Sequence, residues 1–278
     1  MENILKIAVM GMGVAGSYLM ARLKDSKHDV TGYERSAEER HDSICAWGTI
    51  KPILREFCKK TDRNFDDFLI HDGKKMHVKM NDDIKFDIGL HGMCTYNKLA
   101  LIKDFIKDSK VIYGEAPKLE ELEKEYDLIV DCTGFGRAYL PKMEEDFFLP
   151  TYEYKVEYEN GVPYDDFYIE PFPGMSGYFW YFPLGEKWAH IGAGDYNKQH
   201  IKATDAFLKK HGGKVLQTKG RPIRLATPNK CKPFYKGKVV GVGESIGTVY
   251  ALLGEGIIPS MQCVDIFMDN IGDMQAYE

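Results

Sequence analysis

The 278-residue chain is long enough for one large or two modest domains around a well-buried core. Its 37 basic and 42 acidic residues are well mixed and leave a formal charge of -5, a balance that excludes a nucleic-acid surface or a polyanion partner. No apolar run approaches the roughly 20 residues needed to cross a bilayer, and no charged-then-apolar leader precedes the first strand, so the expectation is a cytoplasmic protein, soluble or at most peripheral to a membrane.

Lys6 to Met10 is a short apolar run of β-forming character. It feeds into Gly11-Met12-Gly13-Val14-Ala15-Gly16, after which Ser17 to Leu23 reads as helix. In such a strand-turn-helix, Gly11 permits the turn, Gly13 lets a diphosphate approach the main chain, and Gly16 lets helix and strand lie close. The helix-start amides then face the phosphates. A second strand, Val30 to Tyr33, ends in Glu34, followed by Arg35. An acid about twenty residues beyond the glycines accepts ribose hydroxyls and repels a 2'-phosphate. The pattern predicts a bound dinucleotide.

Ser36 to Ser43 is polar and reads as loop, continuing through Ile44-Cys45-Ala46-Trp47-Gly48-Thr49. A helix is expected from Pro52 to Lys60, with the proline in its first turn. Cys45 is either a thiol held against the dinucleotide or part of a structural loop whose Trp47 plugs the core. Met76 to Ile88 alternates as a hairpin about an Asn-Asp-Asp turn. Helix resumes from Asn97 to Ile106, then a strand at Val111 to Tyr113 and an acidic amphipathic stretch from Leu119 to Tyr126.

Asp127 to Cys132 is an apolar strand that ends in Thr133 and Gly134, a sharp turn at the carboxyl end of a parallel sheet, where ligands collect. Thr151 to Pro173 and Gly177 to Ala193 read as an inserted antiparallel sheet. Aromatics crowd between Phe147 and Trp188, out of 17 Tyr and 15 Phe in all. They suit an apolar ligand wall or a sheet packed through aromatic pairs. A helix at Thr204 to His211 stops at Gly212-Gly213. Lys238 to Val242 is a further buried strand before Gly243-Glu244. From about Gly256 the spacing of Ile257, Met261, Val264 and Met268 gives a helix with one apolar stripe. Amides near Gly254 to Ile258 are placed to face the pyrimidine edge of a flavin. The six cysteines lack CxxC pairing and the eight histidines lack ligand spacing, so neither disulfides nor a metal site is expected.

Taken together, GxGxxG with Glu34-Arg35, the strand ending in Asp131-Cys132-Thr133-Gly134, and the late Gly243-Glu244 loop resemble FAD-containing flavoproteins of the p-hydroxybenzoate hydroxylase fold. Tyr178-Phe179-Trp180-Tyr181-Phe182-Pro183, followed after eight residues by Gly192-Ala193-Gly194, resembles the YxWxFP and GxG signature of the geranylgeranyl reductase family. The resemblance implies an α/β chain: an FAD-binding Rossmann-like domain (1–75, 95–150 and 235–278) with an inserted antiparallel substrate domain (151–234, joined by a hairpin at 76–94).

It further implies FAD as cofactor and reduction of carbon-carbon double bonds in a prenyl-type substrate, with electrons from NAD(P)H, ferredoxin or a deazaflavin. On this likeness Gly11, Gly13, Val14, Ala15, Gly16, Glu34 and Arg35 would hold the adenosine diphosphate. Thr133, Gly134, Gly243 and Glu244 would follow the ribityl and phosphate region, and Cys45, Ala46, Trp47, Gly48, Gly254, Gly256 and Ile257 the flavin ring. Tyr178, Trp180 and Phe182 would line the substrate cavity, with Cys45 gating it or delivering a proton. Three departures stand out: Glu244 where an Asp is usual, Asn97-Lys98 in the neighbourhood of a usual arginine, and a chain that stops soon after its last helix. A flavin monooxygenase of the same fold and a non-catalytic flavin- or prenyl-binding protein are the alternatives.

Overall fold

The computed structural model describes residues 4–43 and 45–278; Ile44 of the expected loop lies outside them. In chain order the elements are β1 (Lys6–Met10), α1 (Val14–Leu23), β2 (Asp29–Glu34), β3 (Gly48–Ile50), α2 (Lys51–Lys59), β4 (Leu69–Asp72), β5 (Lys75–Lys79), β6 (Lys85–Gly89), β7 (Met93–Tyr96) and α3 (Lys98–Ile106). There follow β8 (Val111–Tyr113), α4 (Leu119–Glu125), β9 (Leu128–Asp131), β10 (Phe148–Glu157), β11 (Phe167–Pro171), β12 (Gly177–Pro183), β13 (Trp188–Asp195), α5 (His200–His211), β14 (Lys214–Arg224), β15 (Tyr235–Lys236), β16 (Val239–Gly241), α6 (Ile257–Asp269) and α7 (Met274–Tyr277).

A six-stranded sheet runs β15-β16-β9-β1-β2-β8, parallel except for the β15–β16 pair. Its central strands are covered on both faces, which is why β9 reads as an unbroken apolar run before Asp131, every residue of it buried. A fully buried aliphatic side chain contributes roughly 1.5–3 kcal/mol, and β1 and β9, together with Tyr18, Leu19, Val264 and Phe267 of the flanking helices, form the centre of this core. Asn97 caps α3, its side chain accepting the Ala100 amide at 3.1 Å, and Gly212 ends α5 at φ 71°.

A seven-stranded sheet runs β14-β10-β13-β12-β11-β5-β6 and is antiparallel except for the β11–β5 pair. Hairpin β5–β6 therefore belongs to this sheet, its turn held by Asn81 Oδ1, which accepts the Asp83 and Ile84 amides. One face, with Tyr168, Phe179 and Tyr181, packs on Phe207 of α5. The alternating residues Tyr178, Trp180 and Phe182 point the other way. Among the described residues no helix is long and apolar enough to cross a membrane.

Two features depart from the sequence reading. The end of the loop expected over 44–49 is strand: Gly48 and Thr49 belong to β3, which joins β7 and β4 in a small antiparallel sheet. The eleven residues of β14, which carry no apolar alternation, form a strand paired along β10. Both gain their structure from a partner distant in the chain rather than from local pattern.

Candidate functional site

Three segments far apart in the chain meet at the carboxyl ends of β1, β9 and β16. Gly11 turns at φ 91°, and a Cβ there would lie 2.9 Å from the carbonyl oxygen of Cys132. Gly243 turns at φ 79°, where a Cβ would lie 2.8 Å from that of Ala15. Neither approach tolerates a side chain, so glycine at these positions sets how closely the loops after β1, β9 and β16 pack. Asp131 shapes the second loop: Oδ1 accepts from the Thr133 amide and hydroxyl, and Oδ2 from the amides of Tyr139 and Leu140.

Nothing lies within 4 Å of where a Cβ on Gly13 would be, and α1 begins there with no side chain capping its free amides. That is the open, electropositive helix start a diphosphate requires. Val14, Ala15 and Gly16 form its first turn. Glu34 comes to the same place, its carboxylate accepting from the Met12 and Ser36 amides at 3.0 and 2.9 Å. Arg35 is exposed. Buried His41, which no sequence pattern singles out, binds the Met12 carbonyl through Nε2 at 3.0 Å, and its Nδ1 has no hydrogen-bond partner among the described residues. These residues fit a dinucleotide.

The Cys45–Gly48 segment lies between the two large sheets. The Cys45 amide donates to Glu153 of β10 at 3.1 Å, and the Trp47 amide to Cys45 Sγ at 3.4 Å. Trp47, at φ 63°, packs edge-on to His190 with Lys155 over its ring. A Cβ on Gly48 would fall 2.5 Å from the Phe182 ring, which also meets Phe167. Phe182 is thus wedged between packed groups, whereas the Tyr178 and Trp180 ring centroids sit 5.7 Å apart and the buried Trp180 Nε1 has no partner among the described residues. Gly192 makes room for Trp180: a Cβ there would meet its ring at 2.5 Å. Ala46 accompanies Cys45 beside His190.

The third segment arrives differently from expectation. Tyr178 donates its hydroxyl to the Leu253 carbonyl at 2.6 Å, joining the seven-stranded sheet to the loop before α6, where Gly254 turns at φ 63°. Gly256 and Ile257 open the helix. The Ile257 and Ile258 amides, read from sequence as free donors, both donate to Glu255 Oε1 at 3.0 Å, because a carboxylate two residues before the helix caps it. Glu244, given a ribityl contact by the family likeness, has its carboxylate occupied by the Arg221 guanidinium and the Arg224 amide.

Electrostatics separate the thiols. Burial pushes Cys58 and Cys94 up to about 12 and raises Cys132 and Cys263, so these remain protonated; among the described cysteines Cys45 is the partly exposed one. Burial lowers His190 to about 4, with Lys155 acting in the same sense, and raises Glu153 to about 7. A separate groove of about 490 Å³, lined by His77, Tyr164, Tyr168, Phe179 and Phe207, lies on the opposite face of the seven-stranded sheet.

No protein-family model matches the chain, and no curated protein matches it. Solved structures do. A geranylgeranyl bacteriochlorophyll reductase-like protein from Thermoplasma acidophilum superposes with a TM-score of 0.76 at 17% identity, covering 99% of this chain and 82% of its own. A probable FAD-dependent monooxygenase from Pseudomonas aeruginosa gives 0.69 at 13% identity, over 97% and 86%. A flavin-dependent halogenase from Xanthomonas campestris gives 0.73 at 14%, over 99% and 74%. The fold is that of the p-hydroxybenzoate hydroxylase-like flavoproteins.

Proposed function

We propose that the protein is an FAD-dependent oxidoreductase that reduces carbon-carbon double bonds of an apolar, prenyl-type substrate. The observation that carries this reading is the meeting of Gly11–Gly16, Cys132–Gly134 and Gly243 at one sheet edge, next to the Cys45 loop and the Tyr178–Trp180 face. Gly11, Gly13, Val14, Ala15, Gly16, Glu34 and Arg35 would hold the adenosine diphosphate, and Thr133, Gly134 and Gly243 the stretch after it. Cys45 to Gly48, Gly254, Gly256 and Ile257 would border the ring. Bound flavin supplies the hydride.

An unactivated alkene offers no heteroatom to polarise, so the chain contributes by holding the double bond and excluding water. Tyr178 and Trp180 give the apolar wall, and Tyr178 is fixed in place by its bond to Leu253. Cys45 gates the space or hands on a proton at its Sγ. The electron donor is NAD(P)H, ferredoxin or a deazaflavin.

Flavin absorption bands in the purified protein test the first half of the reading. Anaerobic bleaching by reductant, then recovery of colour on adding a geranylgeranyl lipid with formation of the dihydro product, tests the second. A protein that cannot be loaded with FAD sinks both. A second reading, a flavin monooxygenase acting on a more polar substrate, draws on the buried Lys98, which borders Glu153 and Glu255 and has no use for a pure hydrocarbon. Oxygen consumption with a hydroxylated product would favour it.

A further inference from the structure

Glu153 takes no part in the reading above. It sits in the middle of β10, 7% exposed, on the face turned toward the Cys45 loop. One carboxylate oxygen accepts the Cys45 amide; the other accepts no hydrogen bond among the described residues and enters no ion pair. A carboxylate buried this deeply without a countercharge in contact is costly, and it lowers that cost by holding a proton.

The charges around it come from three directions. Lys98, at the start of α3, is also 7% exposed and has no hydrogen bond or ion pair among the described residues, yet it acts electrostatically on both Glu153 and Glu255. From the loop come Asp42 and Cys45, and from β14 come Lys219, which is paired with Asp42, and Arg221, which is paired with Glu244. His190 and Lys155 stand on the strands alongside. Lys98 thus acts on Glu153 with no salt bridge between them among the described residues. Such an arrangement leaves Glu153 free to change protonation when the charge near it changes.

We propose that Glu153 carries an exchangeable proton for this site, taken up when negative charge is added to the space beside Cys45 and given back when that charge leaves. The inference rests on flavin occupying that space: two-electron reduction adds the charge, and one proton from solvent binds the Glu153 carboxylate for each pair of electrons. Burial already holds the carboxyl up to about 7, where a modest added field moves it across the working range.

The test uses FAD-loaded protein, wild type and Glu153→Gln, the glutamine retaining an acceptor for the Cys45 amide. Reduction potentials measured against pH on the alkaline side of neutrality should fall more steeply in the wild type, by one proton for two electrons, about 30 mV per pH unit. Infrared difference spectra across neutrality should show a protonated-carboxyl band that the variant lacks. In Lys98→Met the midpoint of that band should move up, which keeps the test readable if Glu153→Gln does not fold. Equal slopes, a band untouched by Glu153→Gln, or a midpoint unmoved in Lys98→Met overturns the proposal and leaves the flavin reading standing. A protein that shows the band but takes up no FAD overturns the proposed function instead.

Discussion

A Cβ on Gly16 would sit 1.9 Å from the carbonyl oxygen of Gly11, the residue that begins the same turn. Both atoms are fixed by backbone, so Gly16→Ala must spread the strand from the helix. The expected cost is about 1–3 kcal/mol, visible as a lower denaturant midpoint in protein with or without cofactor. Gly13→Ala meets open space and should fold like the wild type while losing FAD, so thermal melts of the apo form and flavin content of the purified form separate the two glycines.

Arg224 is the buried tie between the sheets, its side chain 3% exposed. Its guanidinium pairs with both oxygens of Asp146 and donates to the carbonyls of Phe135, Glu244 and Ser245. Arg224→Leu strands these acceptors and should cost about 3 kcal/mol, measured by urea unfolding.

Two buried groups should make opposing contributions to stability that offset each other over the mildly acidic range. Burial holds His190 down at about 4 against an ordinary 6.5, so the unfolded chain binds its proton first; that contribution is whole above 6.5 and is lost as pH falls from 6.5 toward 4. Burial holds Glu153 up at about 7 against 4.5, so its contribution is whole below 4.5 and is lost as pH rises from 4.5 through 7. Each is on the order of 3 kcal/mol. His190→Leu should therefore leave a melting temperature that falls as pH rises through the Glu153 window, and Glu153→Gln one that falls as pH drops through the His190 window.

Tyr178→Phe removes the hydroxyl that binds Leu253 and should cost about 1 kcal/mol of stability. If Tyr178 helps form the substrate wall, KM should rise more than kcat falls. Cys45→Ser should retain FAD and slow substrate reduction by about a hundredfold or more, in the range seen for lost proton-transfer groups. A Cys45→Ser enzyme with unchanged rates removes that residue from the chemistry.

Local pattern carried a good part of this architecture. The run from β1 through the glycines to Glu34 is legible because each residue's role depends on neighbours a few positions away, and the turn after β9 is legible for the same reason. β14 was not, since Lys214–Arg224 is stabilised by pairing with β10 rather than by its own composition. Glu153 was equally hidden: 108 positions separate it from Cys45, and only the folded sheets bring them together. The Glu255 cap was visible in principle, as an acid just ahead of an apolar helix start, but the glycines around it drew the reading toward free amides.

The β9–β16 pairing bears on how this chain is made. Leu128–Asp131 is wholly apolar until its last residue, and its second neighbour, Val239–Gly241, is more than a hundred residues away. During synthesis that sticky edge waits while the five strands β10 to β14 emerge from the ribosome. Nascent chains should therefore depend on chaperones through this interval, and stalling translation before residue 239 should yield aggregates rather than a folded amino-terminal half.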